Sequence, residues 1–215
     1  MAPRITDLDT PCLVLRADLF RANLRAMRDA LARTGKGLRP HAKTHKCSRI
    51  AREQLAEGAV GICVAKLSEA EALVAAGVEP VLVTGPVVTE AKLARLADLV
   101  ARGHRIAQTV DSAEGARRLE AACARRGTSV DVLLDVDPAL GRTGIAPEKA
   151  PESTPTFASL PHLRLTGVQM YAGNVQHIAG FAERRERSLA AMRVGAGVVR
   201  DLRAKGHAVS VFTGG

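Results

Sequence analysis

The sequence predicts an α/β protein, a barrel of parallel strands of the (β/α)8 type. Short runs rich in β-branched residues alternate with amphipathic segments rich in Ala, Leu, Arg and Glu along the 215 residues. This alternation is typical of βαβ units, whose strands are parallel. The sequence contains neither a GxGxxG run nor a Walker lysine, and eight strand-like runs favour a barrel over a doubly wound sheet. A solenoid is the weaker alternative because no repeated register is visible.

The predicted strands are bounded by glycine, by proline or by residues that begin helices. The clearest buried strand is Val130–Asp137, whose terminal acids would have to face a polar rim. The eight predicted strands are Pro11–Arg16, Leu38–Lys43, Gly61–Lys66, Pro80–Gly85, Arg105–Val110, Val130–Asp137, Leu163–Tyr171 and Ala208–Thr213.

Helices are predicted between these strands from capping residues and apolar periodicity. Asp18 can cap a first helix that runs to about Arg33, and Thr89 and Ser112 can cap later ones. Four prolines lie between Ala146 and His162, and prolines at this density break a long helix. We therefore expect a loop there with at most one short turn. The predicted helices are 18–33, 48–59, 68–77, 89–103, 112–126 and 179–205.

Composition and charge argue against several classes of partner. The net charge is +9, but the positive residues are interleaved with acids, and one Tyr, four Phe and no Trp leave little for base stacking. We therefore expect no nucleic acid partner. No apolar run approaches the roughly 20 residues of a membrane span, and the first residues lack the apolar core of a signal peptide. A cytoplasmic protein without a membrane partner is expected, with its four cysteines as unpaired thiols.

Polar side chains are concentrated where the predicted strands end. The densest group is Arg-Pro-His-Ala-Lys-Thr-His-Lys at residues 39–46, which could also be a solvated polar loop. In a barrel of parallel strands, residues that follow the strands converge on one face. The expected rim consists of His41, Lys43, Thr44, Lys66, Thr84, Asp135, Asp137, Arg142, Gln169, Tyr171, Asn174, Gln176, His177, Thr213, Gly214 and Gly215.

This set of residue types suggests a cofactor site. A lysine amine beside other cations loses its proton more readily, which makes it nucleophilic towards an aldehyde. A Gly-rich segment after a late strand offers backbone N–H groups to a phosphate. A lysine, a glycine-rich segment and one aromatic ring together suggest a pyridoxal phosphate site.

Five sequence blocks then support a family resemblance over essentially the whole chain. They are Asp-Thr-Pro at 9–11, the block at 39–46, Gly-Arg-Thr-Gly at 141–144, Gly-Val-Gln-Met-Tyr-Ala-Gly-Asn-Val-Gln-His at 167–177, and Thr-Gly-Gly at 213–215. In this order they resemble the D-threonine aldolase / D-serine dehydratase group of fold-type III pyridoxal phosphate enzymes, which are relatives of alanine racemase. The block at 167–177 is more similar to the aldolases.

The resemblance implies a role for each matching position. Lys43 would be the Schiff-base lysine and the catalytic residue, with Lys46 as its rival. Arg142 would lie near the phenolate oxygen of the cofactor, although it could instead be a loop arginine paired with Asp137. Tyr171 would pack against the pyridine ring, although it could instead be a core tyrosine. The cofactor-binding set is completed by Thr213, Gly214 and Gly215 at the phosphate, and by Gln169 and His41 in the wall of the site.

The resemblance also implies a reaction. We expect a lyase that acts on D-3-hydroxy amino acids, of the aldolase type, which yields glycine and an aldehyde. The alternatives are a D-serine or D-3-hydroxyaspartate dehydratase and a non-catalytic pyridoxal-phosphate-binding protein. Family members also use a divalent metal (Mn, Mg or Zn) held by a C-terminal β domain, so no metal ligand is expected among these residues. A homodimer is possible.

The family pattern also implies how the chain is divided. Residues 1–215 would form a cofactor-binding barrel domain, in which Pro11–Arg16 would pair with the C-terminal domain and the barrel would begin at Leu38. Counted in this way, the chain supplies seven barrel strands, so we expect an incomplete barrel without its last strand and without the C-terminal β domain. Unpaired strand edges and exposed apolar surface would then favour aggregation or weak cofactor binding.

Overall fold

The computed structural model of the protein describes residues 4–153, 156–157 and 159–215. Its centre is a sheet of six parallel strands that pair in chain order. Each connection between neighbouring strands carries a helix or a short helical turn, as expected of βαβ units. The strands are β1 Ile62–Val64, β2 Val81–Val83, β3 Ile106–Val110, β4 Val130–Asp135, β5 Leu163–Met170 and β6 Val211–Gly214.

The described helices lie close to their predicted positions. Ser112 caps α5 as predicted, because its Oγ accepts a hydrogen bond of 3.1 Å from the amide of Gly115. Gly127, in the left-handed region at φ 59°, ends the same helix. The helices are α1 Ala17–Ala32, α2 Ser48–Ala56, α3 Leu67–Ala75, α4 Glu90–Ala101, α5 Ala113–Arg126 and α6 Phe181–Ala204, with 3-10 turns at Ile5–Asp7, Pro147–Ser153 and Gly173–His177.

A 3-10 turn is found in the proline-rich segment at Pro147–Ser153, and residues 156–157 are also helical, so this segment holds more helical structure than the one short turn predicted. Residues 154, 155 and 158 of that segment lie outside the described part of the chain. Among the described residues, none of the helices combines the length and apolarity that crossing a membrane requires.

Two strand predictions need correction. Pro11–Arg16 is not a strand: it has no ladder partner among the described residues, and Leu13 is fully exposed. The second, Leu38–Lys43, is reduced to one parallel bridge between His41 and Cys63, since Pro40 has no N–H to donate and the chain turns directly after His41. The prediction of an incomplete (β/α) barrel is confirmed: the strands form a curled half-barrel.

The sheet is covered by helices on its outer face and carries a smaller apolar cluster on its inner face. The outer core contains residues with almost no exposed surface, such as Leu96, Leu119 and Leu134. The inner cluster is formed by Cys63, Leu82 and Leu133 with Ala107 and Val211 against them.

A side-chain hydrogen bond across the inner face shows that the sheet is strongly curled. Gln169 on β5 donates from Nε2 to the carbonyl of Thr84, which follows β2, at 3.2 Å. These two strands are not neighbours, because β3 and β4 lie between them in the sheet. A flat sheet would separate them by about 14 Å, three strand spacings. The sheet therefore closes on itself, and the residues at the carboxyl ends of its strands face a common space.

Candidate functional site

The segment that carries Lys43 is a tight turn beside β1, at the carboxyl ends of the strands. Ala42 is buried, and its carbonyl accepts hydrogen bonds from the amides of His45 at 3.2 Å and Lys46 at 2.8 Å. Lys43 and Thr44 lie at the exposed side of this turn. The buried alanine anchors the turn, so the lysine side chain is presented at the rim rather than in the helical layer.

Lys43, Tyr171 and Arg142 come together at this rim. The Lys43 Nζ lies 5.4 Å from the centroid of the Tyr171 ring, and the guanidinium carbon of Arg142 lies 5.3 Å from it. Both distances are within the range of a cation–π interaction. Three residues from three separate segments, predicted as neighbours from the sequence, are therefore adjacent in the structure.

The loop that carries Arg142 is fixed by the carboxylate of Asp137. Asp137 Oδ1 accepts from the amide of Leu140 at 2.7 Å, and its Oδ2 accepts from the amide of Gly141 at 3.0 Å. Gly144 closes the loop at φ +97°, and a Cβ there would lie 2.6 Å from the Asp137 amide nitrogen. Because Asp137 binds backbone amides and no ion pair with Arg142 occurs among the described residues, Arg142 is not the Asp137-paired arginine of the alternative interpretation.

Tyr171 lies on a glycine and is half-buried rather than part of the core. A Cβ at Gly173 would lie 2.6 Å from Cε1 of the tyrosine ring, so glycine at 173 lets the ring lie against the backbone. The amide of Ala172 donates to the carbonyl of Gly215 at 2.9 Å. This bond holds the residue that follows Tyr171 against the glycine-rich segment. Gly173 was not among the predicted site residues, although it lies two residues after the lone tyrosine.

Thr213, Gly214 and Gly215 lie where β6 ends, beside the tyrosine segment. Thr213 is paired in register with Gln169, and Gly214 with Met170. A Cβ at Gly214 would lie 2.0 Å from the Met170 carbonyl oxygen, so no other residue fits without moving the backbone. Gly214 and Gly215 are exposed, and a glycine-rich backbone at a strand end is suited to bind an anion.

Gln169 forms part of the inner wall beneath this rim. Its Nε2 donates to Asp135 Oδ1 at 3.0 Å as well as to the Thr84 carbonyl. Burial raises the pKa of Asp135, and the hydrogen bond from Gln169 opposes that rise. Asp135 Oδ2 is buried and has no hydrogen-bond partner among the described residues. Asp135, which the sequence placed in the polar rim, is therefore a buried wall residue.

The structure distinguishes Lys43 from its rival in the same turn. Lys46, at φ 46°, forms an ion pair with Glu69, and the other carboxylate oxygen of Glu69 accepts from the Ala65 amide at 2.8 Å. The Lys46 amine is thus engaged with a fixed carboxylate on α3. Glu69 was read from the sequence only as part of a helix start, since its contact with Lys46 spans 23 residues.

The remaining predicted rim residues have different surroundings. His41 is half-buried beside the lysine turn, and its Nε2 lies 3.2 Å from Oγ1 of Thr84. His177 is exposed at the end of the turn Gly173–His177, and Lys66 is exposed at the start of α3. Within the described ranges, no three His, Cys, Asp or Glu side chains are grouped as metal ligands would be.

A separate cavity of about 620 Å³ opens at the opposite, amino ends of the strands. Its lining includes Pro80, Arg105, Ser129 and Ser210. Neither Lys43 nor Tyr171 lines this cavity, so the cavity is separate from the candidate site despite its size. Reactive groups of such barrels lie at the carboxyl ends of the strands, where Lys43 and Arg142 are found.

Comparison with known proteins identifies the family. Residues 15–212 match the family model described as "Alanine racemase, N-terminal domain". The chain belongs to the alanine racemase N-terminal domain family. Among family members, a D-threonine aldolase of Arthrobacter sp is 42% identical over 209 residues, which are 97% of this chain and 55% of that protein.

Two solved structures of the family are also similar. The D-threonine aldolase from Filomicrobium marinum has a TM-score of 0.93 and 38% identity, covering 98% of this chain and 57% of that one. The D-threo-3-hydroxyaspartate dehydratase from Delftia sp. HT23 has a TM-score of 0.84 and 30% identity, covering 96% of this chain and 55% of that one. This chain thus spans about half the length of these relatives.

Proposed function

We propose that residues 1–215 form one barrel domain that binds pyridoxal phosphate for a lyase acting on D-3-hydroxy amino acids, of the D-threonine aldolase type. The observation that carries the proposal is the Tyr171 ring, with the Lys43 amine 5.4 Å and the Arg142 guanidinium 5.3 Å from its centroid. The 42% identity to a D-threonine aldolase supports the aldolase type.

The residues at the rim fit this cofactor in residue type and position. An aldehyde cofactor needs an accessible amine, and Lys43 supplies one on a rigid turn, whereas the Lys46 amine is held by Glu69. A flat ring needs an aromatic side chain beside it, and Tyr171 lies at the rim on Gly173. When bound, the cofactor would supply an electron sink for the pair of electrons released at the substrate α-carbon.

The chain's own residues would divide the remaining work. Lys43 would hold the cofactor covalently and release it to the amino group of the substrate. Arg142, with its loop fixed by Asp137, would place a positive charge beside the cofactor's phenolate oxygen. Thr213, Gly214 and Gly215 would bind the phosphate, and Gln169 would hold the wall by bridging Asp135 and Thr84.

In the aldolase reaction the bond between the α- and β-carbons breaks, the β-hydroxyl loses its proton and the α-carbon gains one, so the products are glycine and an aldehyde. A divalent metal, cytoplasmic location and a homodimer remain predictions, which metal analysis, cell fractionation and sedimentation would test.

Covalent trapping tests the cofactor site directly. We expect that pyridoxal phosphate added to the protein and reduced with borohydride modifies Lys43, as mapped by peptide mass spectrometry. Lys43→Ala should abolish the modification in the 39–46 segment, while Lys46→Ala, the matched control from the same turn, should retain it. Modification of Lys46 or Lys66 in place of Lys43 would contradict the assignment.

A dehydratase is the second candidate, favoured by the likeness to the D-threo-3-hydroxyaspartate dehydratase. Product analysis separates the two, because a dehydratase would release ammonia and a 2-oxo acid instead of glycine and an aldehyde. D-Threonine and D-3-hydroxyaspartate should both be offered as substrates. Trapping at Lys43 without turnover of either substrate would indicate the third possibility, a non-catalytic pyridoxal-phosphate-binding protein.

A further inference from the structure

His41 makes hydrogen bonds through both of its ring nitrogens. Its Nδ1 lies 3.2 Å from the amide nitrogen of Lys43, two residues later, and accepts a hydrogen bond from it. Its Nε2 lies 3.2 Å from Oγ1 of Thr84, which follows β2. Thr84 Oγ1 in turn donates to the Val64 carbonyl at 3.0 Å. One side chain therefore connects the lysine turn to two neighbouring strand ends.

These partners determine where the imidazole proton lies. A backbone amide can only donate, so Nδ1 must be the unprotonated, accepting nitrogen. The hydroxyl hydrogen of Thr84 is used on the Val64 carbonyl, so Thr84 Oγ1 accepts and Nε2 must carry the proton. The hydrogen bonds run in one direction, from Nε2–H to Thr84 and from Thr84 to Val64. Protonation of Nδ1 would break the contact with the Lys43 amide.

The surroundings also favour the neutral ring. Burial lowers the pKa of His41 to about 4, and the positive charges of Lys43, His45 and Lys46 act in the same direction, while Glu69 opposes them. Near neutral pH the ring is therefore uncharged, so it adds no positive charge beside the Lys43 amine.

We infer that His41 is a positioning residue for Lys43: as a neutral ring protonated at Nε2, it fixes the lysine turn to Thr84. This inference rests on the proposed role of Lys43 in the cofactor site. His41 is not assigned contact with the cofactor itself. Its effect would be to restrict the direction in which the lysine side chain leaves the turn, towards Tyr171 and Arg142.

His45 offers an internal comparison. Its Nδ1 accepts from the amide of Cys47, again two residues later, at 3.1 Å. Its Nε2 is buried but has no hydrogen-bond partner among the described residues. Both histidines thus stabilise a turn, but His41 also joins that turn to a neighbouring strand. A substitution at His45 is therefore a matched control for one at His41.

The proton position can be measured on the unmodified protein. Nitrogen-15 NMR of the histidine rings at pH 7 should show His41 with a protonated Nε2 and an unprotonated Nδ1. The ring should not titrate until the pH approaches about 4. A proton on Nδ1, or titration near pH 6.5, would overturn the inference. This experiment needs no cofactor, so its result is independent of the proposed function.

Substitutions then test the positioning role. His41→Asn keeps an acceptor for the Lys43 amide, but its side chain is too short to donate to Thr84, and Thr84→Val loses the acceptor of the same bond. Each should weaken pyridoxal phosphate binding by about three- to tenfold, the effect of one hydrogen bond, while His45→Asn stays within about twofold. Because both changes remove the bond between His41 and Thr84, the loss of cofactor binding in the double variant should be smaller than the sum of the two single losses.

The outcomes separate the two proposals. If the unsubstituted protein shows no trapping at Lys43, the proposed function fails, whatever the proton position in His41. If trapping occurs but Thr84→Val binds the cofactor as tightly as the unsubstituted protein, the positioning role fails. Additive losses in the double variant would also contradict it, because they would mean that His41 and Thr84 act separately.

Discussion

The rim around Lys43 and the N-terminal segment 11–32 differ in how many partners hold them. The rim is joined to β1, β2 and β5 through hydrogen bonds at Cys63, Thr84 and Gln169. Segment 11–32 contains no buried residue, and the ion pairs Arg21–Glu53 and Arg28–Glu57 join α1 to α2 and to the residue that follows α2. Exposed ion pairs contribute little stability, so the rim should be rigid and the N-terminal segment only loosely attached.

The largest effect is expected from a substitution of Lys43 in the rim. Lys43→Ala should reduce turnover of D-threonine at least about 10³-fold, because no other described amine has the same position beside Tyr171. Turnover and cofactor trapping should be measured together, with Lys46→Ala as the control. If Lys43→Ala retained both turnover and cofactor trapping, Lys43 would not be the reactive amine of the rim.

The next effect concerns the core that supports the rim. Leu134 on β4 is 2% exposed, and Leu134→Ala should lower the free energy of unfolding by about 2–5 kcal/mol through lost burial and a residual cavity. Denaturant unfolding followed by circular dichroism would measure the change. A loss below about 1 kcal/mol would mean that the strand layer beneath the rim is not well packed.

A pH effect should come from His41 in the rim. An unfolded His41 protonates near pH 6.5 but the folded one only near pH 4, so between these values the unfolded chain binds more protons. The free energy of unfolding should therefore fall as the pH drops from about 6.5 to about 4, by on the order of 2 kcal/mol after allowance for partial exposure. Unfolding of the unsubstituted protein and His41→Asn should be compared across this range. Equal pH slopes in the two proteins would contradict the assignment.

The smallest effect is expected in the N-terminal segment. Leu13 is fully exposed, so Leu13→Ala should change the free energy of unfolding by no more than about 0.5 kcal/mol. The same denaturant measurement as for Leu134→Ala gives a direct comparison. A loss of 2 kcal/mol or more would show that Leu13 is buried in solution and that the contrast between the two regions is wrong.

The sequence by itself determined the alternation of strands and helices and most of their positions. Ser112 and Gly127 mark the ends of α5 through local hydrogen bonding and backbone conformation, and such signals need no tertiary partner. The blocks around Lys43, Arg142 and Tyr171 likewise predicted a cofactor site, because residue type and order carry the family resemblance.

Only the tertiary structure decided which of these patterns found partners. Pro11–Arg16 has the composition of a strand, but a strand exists only where another backbone pairs with it, and none of the described residues does. Lys43 and Lys46 are three residues apart and carry the same amine. They differ in their surroundings, because Glu69 on α3 forms an ion pair with Lys46 and not with Lys43. Strand pairing and the ion pair of Lys46 both depend on contacts between residues that are distant in sequence. Such contacts exist only in the folded chain, so the sequence pattern alone could not predict them.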